Sequence, residues 1–332
     1  MFFCSKPDHL PNAVVIGVGS LGQHHARIYA KHNKVNLLAV VDTAAEARES
    51  IARTYGCQAF ADVTEIQDRI DLVSLVVPTT DHYRLAAQLI EKGIPVLVEK
   101  PITLTVAEGE TLVALAREKR VILQVGHIER FNPAVIELCH RIENPLFIEC
   151  HRLGPPAPRV KDMGVVLDLM IHDLDLILSV VRCDIAHIEA VGVPILSPQE
   201  DIANARLRFE SGCIANVTCS RVTPEKQRKI RFFQNDAYFS LDYLKPDLQI
   251  YRKITQADGS IQITHDHPKL GKEEPLYAEI DSFIECVLQG KTPVVTGEDG
   301  IRALRLASRI TNQVEQLTET LFHYQKNGNN SA

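Results

Sequence analysis

The chain begins as an alternation of short apolar runs and longer amphipathic stretches. Residues 13–17 (AVVIG), 36–41 (NLLAVV), 72–77 (LVSLVV), 95–99 (PVLVE) and 121–125 (VILQV) are nearly unbroken apolar segments. That is the signature of parallel strands covered on both faces. Between them, residues 21–32, 44–55, 81–92 and 106–119 have the length and composition of helices. Strand and helix in turn predict a doubly wound α/β domain.

The pattern then changes. Residues 165–178, VVLDLMIHDLDLIL, read as an apolar helix carrying Asp168, His172 and Asp175. Steps of four and three residues put these side chains on one helical face. Burying a carboxylate or an imidazole without a partner costs several kcal/mol, so the stripe demands an explanation. Next come β-like segments at 185–193, 204–209, 214–220, 229–233, 237–243, 248–254 and 260–264, with a tight hairpin expected at Ser211-Gly212. They predict an α+β domain with an open, mainly antiparallel sheet and helices on one face. Helices over 276–288, ended by Gly290, and over 300–321 close the fold, and the polar tail KNGNNSA is expected to be disordered.

Composition narrows the function. A length of 332 residues suits about two domains. A net charge of -6 argues against a nucleic-acid partner, since phosphate binding wants a basic surface. The eight cysteines form no CxxC pair, as expected of reduced thiols rather than disulfides or a zinc site. No run approaches the ~18–20 apolar residues of a membrane span, and the first ten residues, MFFCSKPDHL, hold no signal-peptide core. The expectation is a cytoplasmic protein without membrane partners.

Gly17-Val18-Gly19-Ser20-Leu21-Gly22 follows the first strand and opens the first helix. In that setting the first glycine permits a tight turn, the second admits a pyrophosphate, and the third lets helix pack on strand. The helix N-terminus then faces the phosphates. The first domain, placed at 1–130, is thus a dinucleotide-binding Rossmann domain; the second covers 131–325 and the tail 326–332. The helix at 300–321 is a candidate to pack back on the first domain. Asp42 ends the second strand, about 20 residues past Gly22, where an acid holds the adenosine ribose hydroxyls and repels a 2′-phosphate. NAD is therefore expected over NADP, although Thr43 and Arg48 lie close by. Pro78, Thr79 and His82, after the third strand, are candidates for the cofactor rim; a helix cap and a surface residue explain Thr79 and His82 equally well.

GVGSLGQHH, Glu99-Lys100-Pro101 and DLMIHDLD together resemble the glucose–fructose oxidoreductase/inositol dehydrogenase family across nearly the whole chain. His25, three residues past Gly22, and Glu99 and Lys100 of the EKP triplet are signatures of that family, and the resemblance implies that they belong to the cofactor site. Within the family, GHIERFNPAV, HRLGPPAPRV and GVVLDLMIHDLDLIL are similar to the subgroup oxidising the 3-hydroxyl of UDP-N-acetylglucosamine.

The chemistry of the residues agrees with a dehydrogenase. Lys100 at a strand end can support a developing alkoxide. His172 titrates near ~6.5 when unperturbed and can take a hydroxyl proton, with Asp168 fixing its tautomer. A satisfied core histidine is the competing reading. A metal site lacks a fourth ligand and an HExxH motif, so no metal is expected. For substrate, His127 and Arg130 are candidates on the segment joining the domains. Arg152 and Arg159, on what reads as a stiff proline loop, are candidates for a UDP-sugar pyrophosphate. The expectation is an NAD-dependent sugar dehydrogenase, most simply of a UDP-linked amino sugar, assembled as a homodimer or homotetramer because its sheet has an uncovered face. An inositol or free-sugar dehydrogenase, or a non-catalytic cofactor-binding regulator, are the alternatives.

Overall fold

The computed structural model describes residues 10–156 and 163–328, with side chains to 317. The chain divides into two compact units: Met1–Ile128 with Glu274–Ile301, and Glu129–Glu273 with Arg302–Ala332.

In the first unit six strands run parallel in the order β3-β2-β1-β4-β5-β6: β1 Asn12–Ile16, β2 Asn36–Val41, β3 Gln58–Phe60, β4 Leu72–Leu75, β5 Val96–Glu99 and β6 Leu123–Gly126. The sequence order reverses between β1 and β4, and ligands of such sheets bind in the crevice at that point. Helices α1 Gly22–Lys31, α2 Ala45–Tyr55, α3 Thr79–Glu91 and α4 Val106–Lys119 connect the strands. Strand β3 escapes the pattern because three half-exposed or exposed residues form no apolar run.

The later helices join the two cores differently from the sequence expectation. Helix α7 (Pro275–Gln289), which follows α5 (Pro133–Arg141) and α6 (Ile171–Val180) of the second unit, carries Leu276, Ile280, Phe283 and Ile284 into the core of the first unit, with Val15, Ala26, Tyr29 and Leu97. The closing helix α8, Gly297–Gly328, instead gives Ala303, Leu306, Ala307, Ile310 and Val314 to the core of the second unit. Periodicity identifies an apolar face but not the core that receives it. Helix α8 also runs into the segment read as a tail.

The second unit is an eight-stranded sheet ordered β14-β13-β12-β11-β7-β10-β9-β8. Its strands are β7 Phe147–Leu153, β8 Ile185–Val193, β9 Ile202–Phe209, β10 Ile214–Ser220, β11 Gln227–Phe233, β12 Ala237–Asp242, β13 Asp247–Thr255 and β14 Ile261–Asp266. All neighbours are antiparallel except β7 and β10. Gly212, at a φ of 86°, turns the chain from β9 to β10. Helices α5 Pro133–Arg141 and α6 Ile171–Val180 belong to this unit. Alternate residues of β9 and β10 are buried, while Asn204, Arg206, Asn216 and Thr218 occupy the opposite, open face.

Strand β7 corrects the sequence reading, which put Arg152 in a loop. FIECHRL alternates, with Ile148, Cys150 and Arg152 buried. An arginine at a core position breaks the expected apolar period and hides the strand. The helix at 165–178 is also modified: Val166–Met170 is a π-helical turn, and regular α-helix begins at Ile171. The bond from Ile171 N–H to the Val166 carbonyl closes this wider turn. Such turns recur at functional sites.

Glu279 of α7 is fully buried in the first unit, and its carbonyl oxygen accepts a hydrogen bond from Gln124 Nε2 at 3.2 Å. Burial pushes its carboxyl well above the ordinary range, and the charge of Glu99 adds to the effect. The native state therefore holds a proton that the unfolded chain releases above the usual glutamate range. Native stability falls with rising pH through that window. Glu279→Gln removes this dependence. Calorimetry should show the variant melting above wild type near pH ~8 and the gap closing towards pH ~5. A gap that stays the same between the two pH values would mean that burial does not raise the Glu279 carboxyl in the native state.

Candidate active site

The glycine loop is shaped by sterics. Gly17 has a φ of 85°, and a Cβ there would strike the carbonyl oxygen of Val76. A Cβ on Gly22 would run into the carbonyl oxygen of Gly17. Both positions exclude every other residue. Gly19 differs, because nothing lies within 4 Å of where its Cβ would stand. Its bareness keeps a surface open rather than making room for protein. Ser20 and Leu21 are exposed beside it, and α1 starts at Gly22 with no side chain capping its N-terminus.

Asp42 reaches back to this loop. Its Oδ2 accepts the Val18 N–H at 2.8 Å and its Oδ1 accepts the Ala44 N–H at 2.8 Å. Two further lone-pair positions stay available for ribose hydroxyls. Arg48 Nη1 donates to the carbonyl oxygens of Asp42 and Thr43, which keeps this cation on the backbone. Gly17, Gly19, Asp42, Thr43 and Pro78 line a cavity of about 340 Å³, with Leu85 adding an apolar wall. Bare backbone at a helix start, a carboxylate at the second strand and an apolar slot together fit a dinucleotide.

Other residues expected at this site lie beneath it. His25 is fully buried on α1, its Nε2 3.3 Å from Glu99 Oε1. The Glu99 carboxyl rests on Gly126, where a Cβ would come within 2.8 Å of Glu99 Cδ. Its Oε2 accepts the Lys100 N–H at 3.3 Å. His82 is also buried, with Nδ1 2.8 Å from the Pro101 carbonyl oxygen and Nε2 3.0 Å from that of Val77. Burial lowers its pKa, outweighing the carbonyls that favour protonation. His25, His82 and Glu99 thus brace the corner that presents half-buried Lys100, whose bond to Pro101 is cis. Thr79 is half-buried at the start of α3 and Pro78 is exposed. His127, a candidate substrate residue, is buried at the end of β6.

In the second unit the acidic stripe splits. Asp168 and His172 are half-buried among otherwise largely buried neighbours. Asp175 is sequestered, its Oδ2 accepting from Arg130 Nε at 2.9 Å. That contact gives Asp175 a structural partner and engages Arg130. The acid that pattern reading passed over is Asp173, fully buried one residue after His172. Arg152 grips it through Nε–Oδ2 at 2.7 Å and Nη2–Oδ1 at 2.8 Å. Nη1 and Nη2 of the same guanidinium both reach Glu129 Oε1 at 3.1 Å. The guanidinium carbon also lies 5.3 Å from the ring centre of Tyr243. Arg152 is 3% exposed, so the candidate pyrophosphate ligand is an internal tie. A core arginine requires buried acids, which was the available signal for Asp173 and Glu129. Arg159 lies outside the described residues.

Arg152→Leu strands two buried carboxylates. We expect it to destabilise the second unit by ~3–5 kcal/mol in urea unfolding, with Asp173→Leu added to it recovering part of the loss. A single variant within ~0.5 kcal/mol of wild type would show the tie to be dispensable.

Comparison with known proteins agrees with this architecture. Residues 12–127 match an oxidoreductase family with an NAD-binding Rossmann fold, and residues 142–239 match the GFO/IDH/MocA C-terminal domain. The chain is 36% identical over 303 residues to UDP-N-acetylglucosamine 3-dehydrogenase of Acidithiobacillus ferrooxidans, covering 91% of this chain and 96% of that protein. A solved structure of that enzyme superposes with a TM-score of 0.85 at 34% identity, over 92% of this chain and 98% of the other. The scyllo-inositol 2-dehydrogenase (NAD(+)) of Bacillus subtilis is 28% identical over 326 residues, 92% of this chain and 94% of that protein. With both halves matched and a relative above 30% identity across nearly the full length, the chain belongs to the GFO/IDH/MocA oxidoreductase family and is an NAD-dependent dehydrogenase.

Proposed function

We propose that the protein oxidises the 3-hydroxyl of a UDP-N-acetylglucosamine-type nucleotide sugar to the 3-keto sugar. The observation that carries this reading is 36% identity, over 91% of the chain, to an enzyme named for that reaction. NAD, when bound, supplies the acceptor for the hydride that leaves the sugar carbon. His172 takes the hydroxyl proton as the carbonyl forms, and Asp168 orients the imidazole and stabilises its charged form. Lys100 holds the substrate oxygen and offsets the charge developing there. His25, Glu99 and His82 keep the Lys100 corner in place. An aminotransferase is the class of enzyme suited to consume the keto product.

Lys100→Met and His172→Ala should each lower kcat by ~10²–10⁴-fold for NADH formation from UDP-N-acetylglucosamine, with NAD binding retained in calorimetric titration. Turnover near wild type in both variants would remove these roles. Oxidation of free inositol in preference to the nucleotide sugar would replace the substrate.

The open face of the second sheet supports a homodimer or homotetramer. Phe147, Phe233, Tyr238, Tyr251 and His265 form a continuous row across five strands, with successive ring centres 4.4–5.8 Å apart. A row of that kind suits a second copy of the same face. Tyr238→Glu should shift sedimentation towards the monomer; an unchanged oligomer would place the interface elsewhere. Among the described residues no helix is long and apolar enough to cross a membrane, and seven cysteines are free thiols, which fits a cytoplasmic enzyme.

A further inference from the structure

Arg228, on a strand rather than a loop, is placed to take the role that the sequence reading gave to Arg152. It stands on β11 directly opposite Arg152 of β7. Opposed residues of an antiparallel pair point to the same face, here the one where Ile148, Cys150, Ile230 and Phe232 are buried. Two guanidinium groups therefore stand side by side on the helix-bearing face of the sheet. Arg152 takes both nearby buried acids, Asp173 bidentately and Glu129 through two nitrogens. Arg228 is half-buried, and among the described residues no carboxylate lies within ion-pair distance of its guanidinium. Burial, and after it the neighbouring charge of Arg152, make its protonation less favourable than in water, while the charges of Glu129, Asp173 and Asp168 act on it in the opposite sense.

A half-buried cation beside a second cation, drawn to these acids through space but ion-paired with none of them, gains from an anion that reaches it. Asp168 marks the direction, since it is a half-buried member of the candidate catalytic pair. We infer that Arg228 binds the diphosphate of the nucleotide-sugar substrate, through the planar fork that suits two phosphate oxygens. The inference rests on the proposed nucleotide-sugar reading and names the residue that distinguishes such a substrate from an uncharged sugar.

The test compares wild type, Arg228→Gln and Arg228→Lys in steady-state kinetics with NAD and UDP-N-acetylglucosamine, and in calorimetric titration with UDP alone. A diphosphate ligand predicts a KM raised ~10–100-fold in the glutamine variant with kcat nearly kept, a smaller rise in the lysine variant, and a parallel loss of UDP affinity. Because Arg228 is ion-paired with no carboxylate among the described residues, the glutamine variant should melt at or above the wild-type temperature. An unchanged KM and UDP affinity would overturn the inference while leaving the nucleotide-sugar reading standing. A substantially lowered melting point with unchanged UDP affinity would make Arg228 structural. A wild-type enzyme that neither binds UDP nor oxidises the nucleotide sugar, yet oxidises inositol, would overturn both.

Discussion

One guanidinium orients the working half of the second unit. Arg152 rises from a central strand and is held by Asp173 of α6 and by Glu129. Bidentate geometry fixes the rotation of α6 as well as its distance from the sheet. Residues on an α-helix advance by about 100° each, so locking Asp173 inward turns its neighbour His172 away from it. The half-exposure of His172 on an otherwise greasy helix follows from where Asp173 must go. Truncating either partner leaves a buried charge, so this arrangement is held far more firmly than a surface ion pair.

The first unit relies on exclusion where the second relies on charge. Backbone packs so tightly at Gly17 and Gly22 that a methyl group cannot enter, and this brings strand, turn and helix into register around the open backbone of Gly19. Under that surface is a layer of buried polar groups in which His25 lies against Glu99, Glu99 against Gly126, and burial favours the protonated form of Glu279. Such a layer costs stability unless its members satisfy one another. Its value is rigidity at the corner that presents Lys100, the residue proposed to meet the substrate oxygen.

Much of this was legible in the sequence, and the failures have a common cause. Parallel strands buried on both faces announce themselves as apolar runs, and the helix over 106–119 begins where composition put it because Thr105 and Glu108 form a capping box. The glycine loop and Asp42 were readable as candidates from their places after the first and second strands, and Asp168 and His172 from their step of four residues on an apolar helix. Strand β7 and Asp173 were not, because a buried arginine looks like a surface residue until its acids are known. Arg228 was passed over for the same reason: what sets it apart is that no carboxylate among the described residues pairs with it, and that is a property of three dimensions. The assignment of α7 and α8 to their cores likewise depends on contacts between residues distant along the chain.

Asp42 has one consequence for how the enzyme can change. The carboxylate that would meet the ribose also accepts the Val18 N–H inside the glycine loop. Exchanging it for a smaller or neutral residue, the simplest step towards a phosphorylated coenzyme, would also release that loop from the second strand. With Asp42 in the proposed ribose-binding role, coenzyme preference and loop stiffness would be inherited together. A lineage that changed the first would need a second substitution to restore the other, so switching coenzyme is a two-step path whose first step weakens the binding of both.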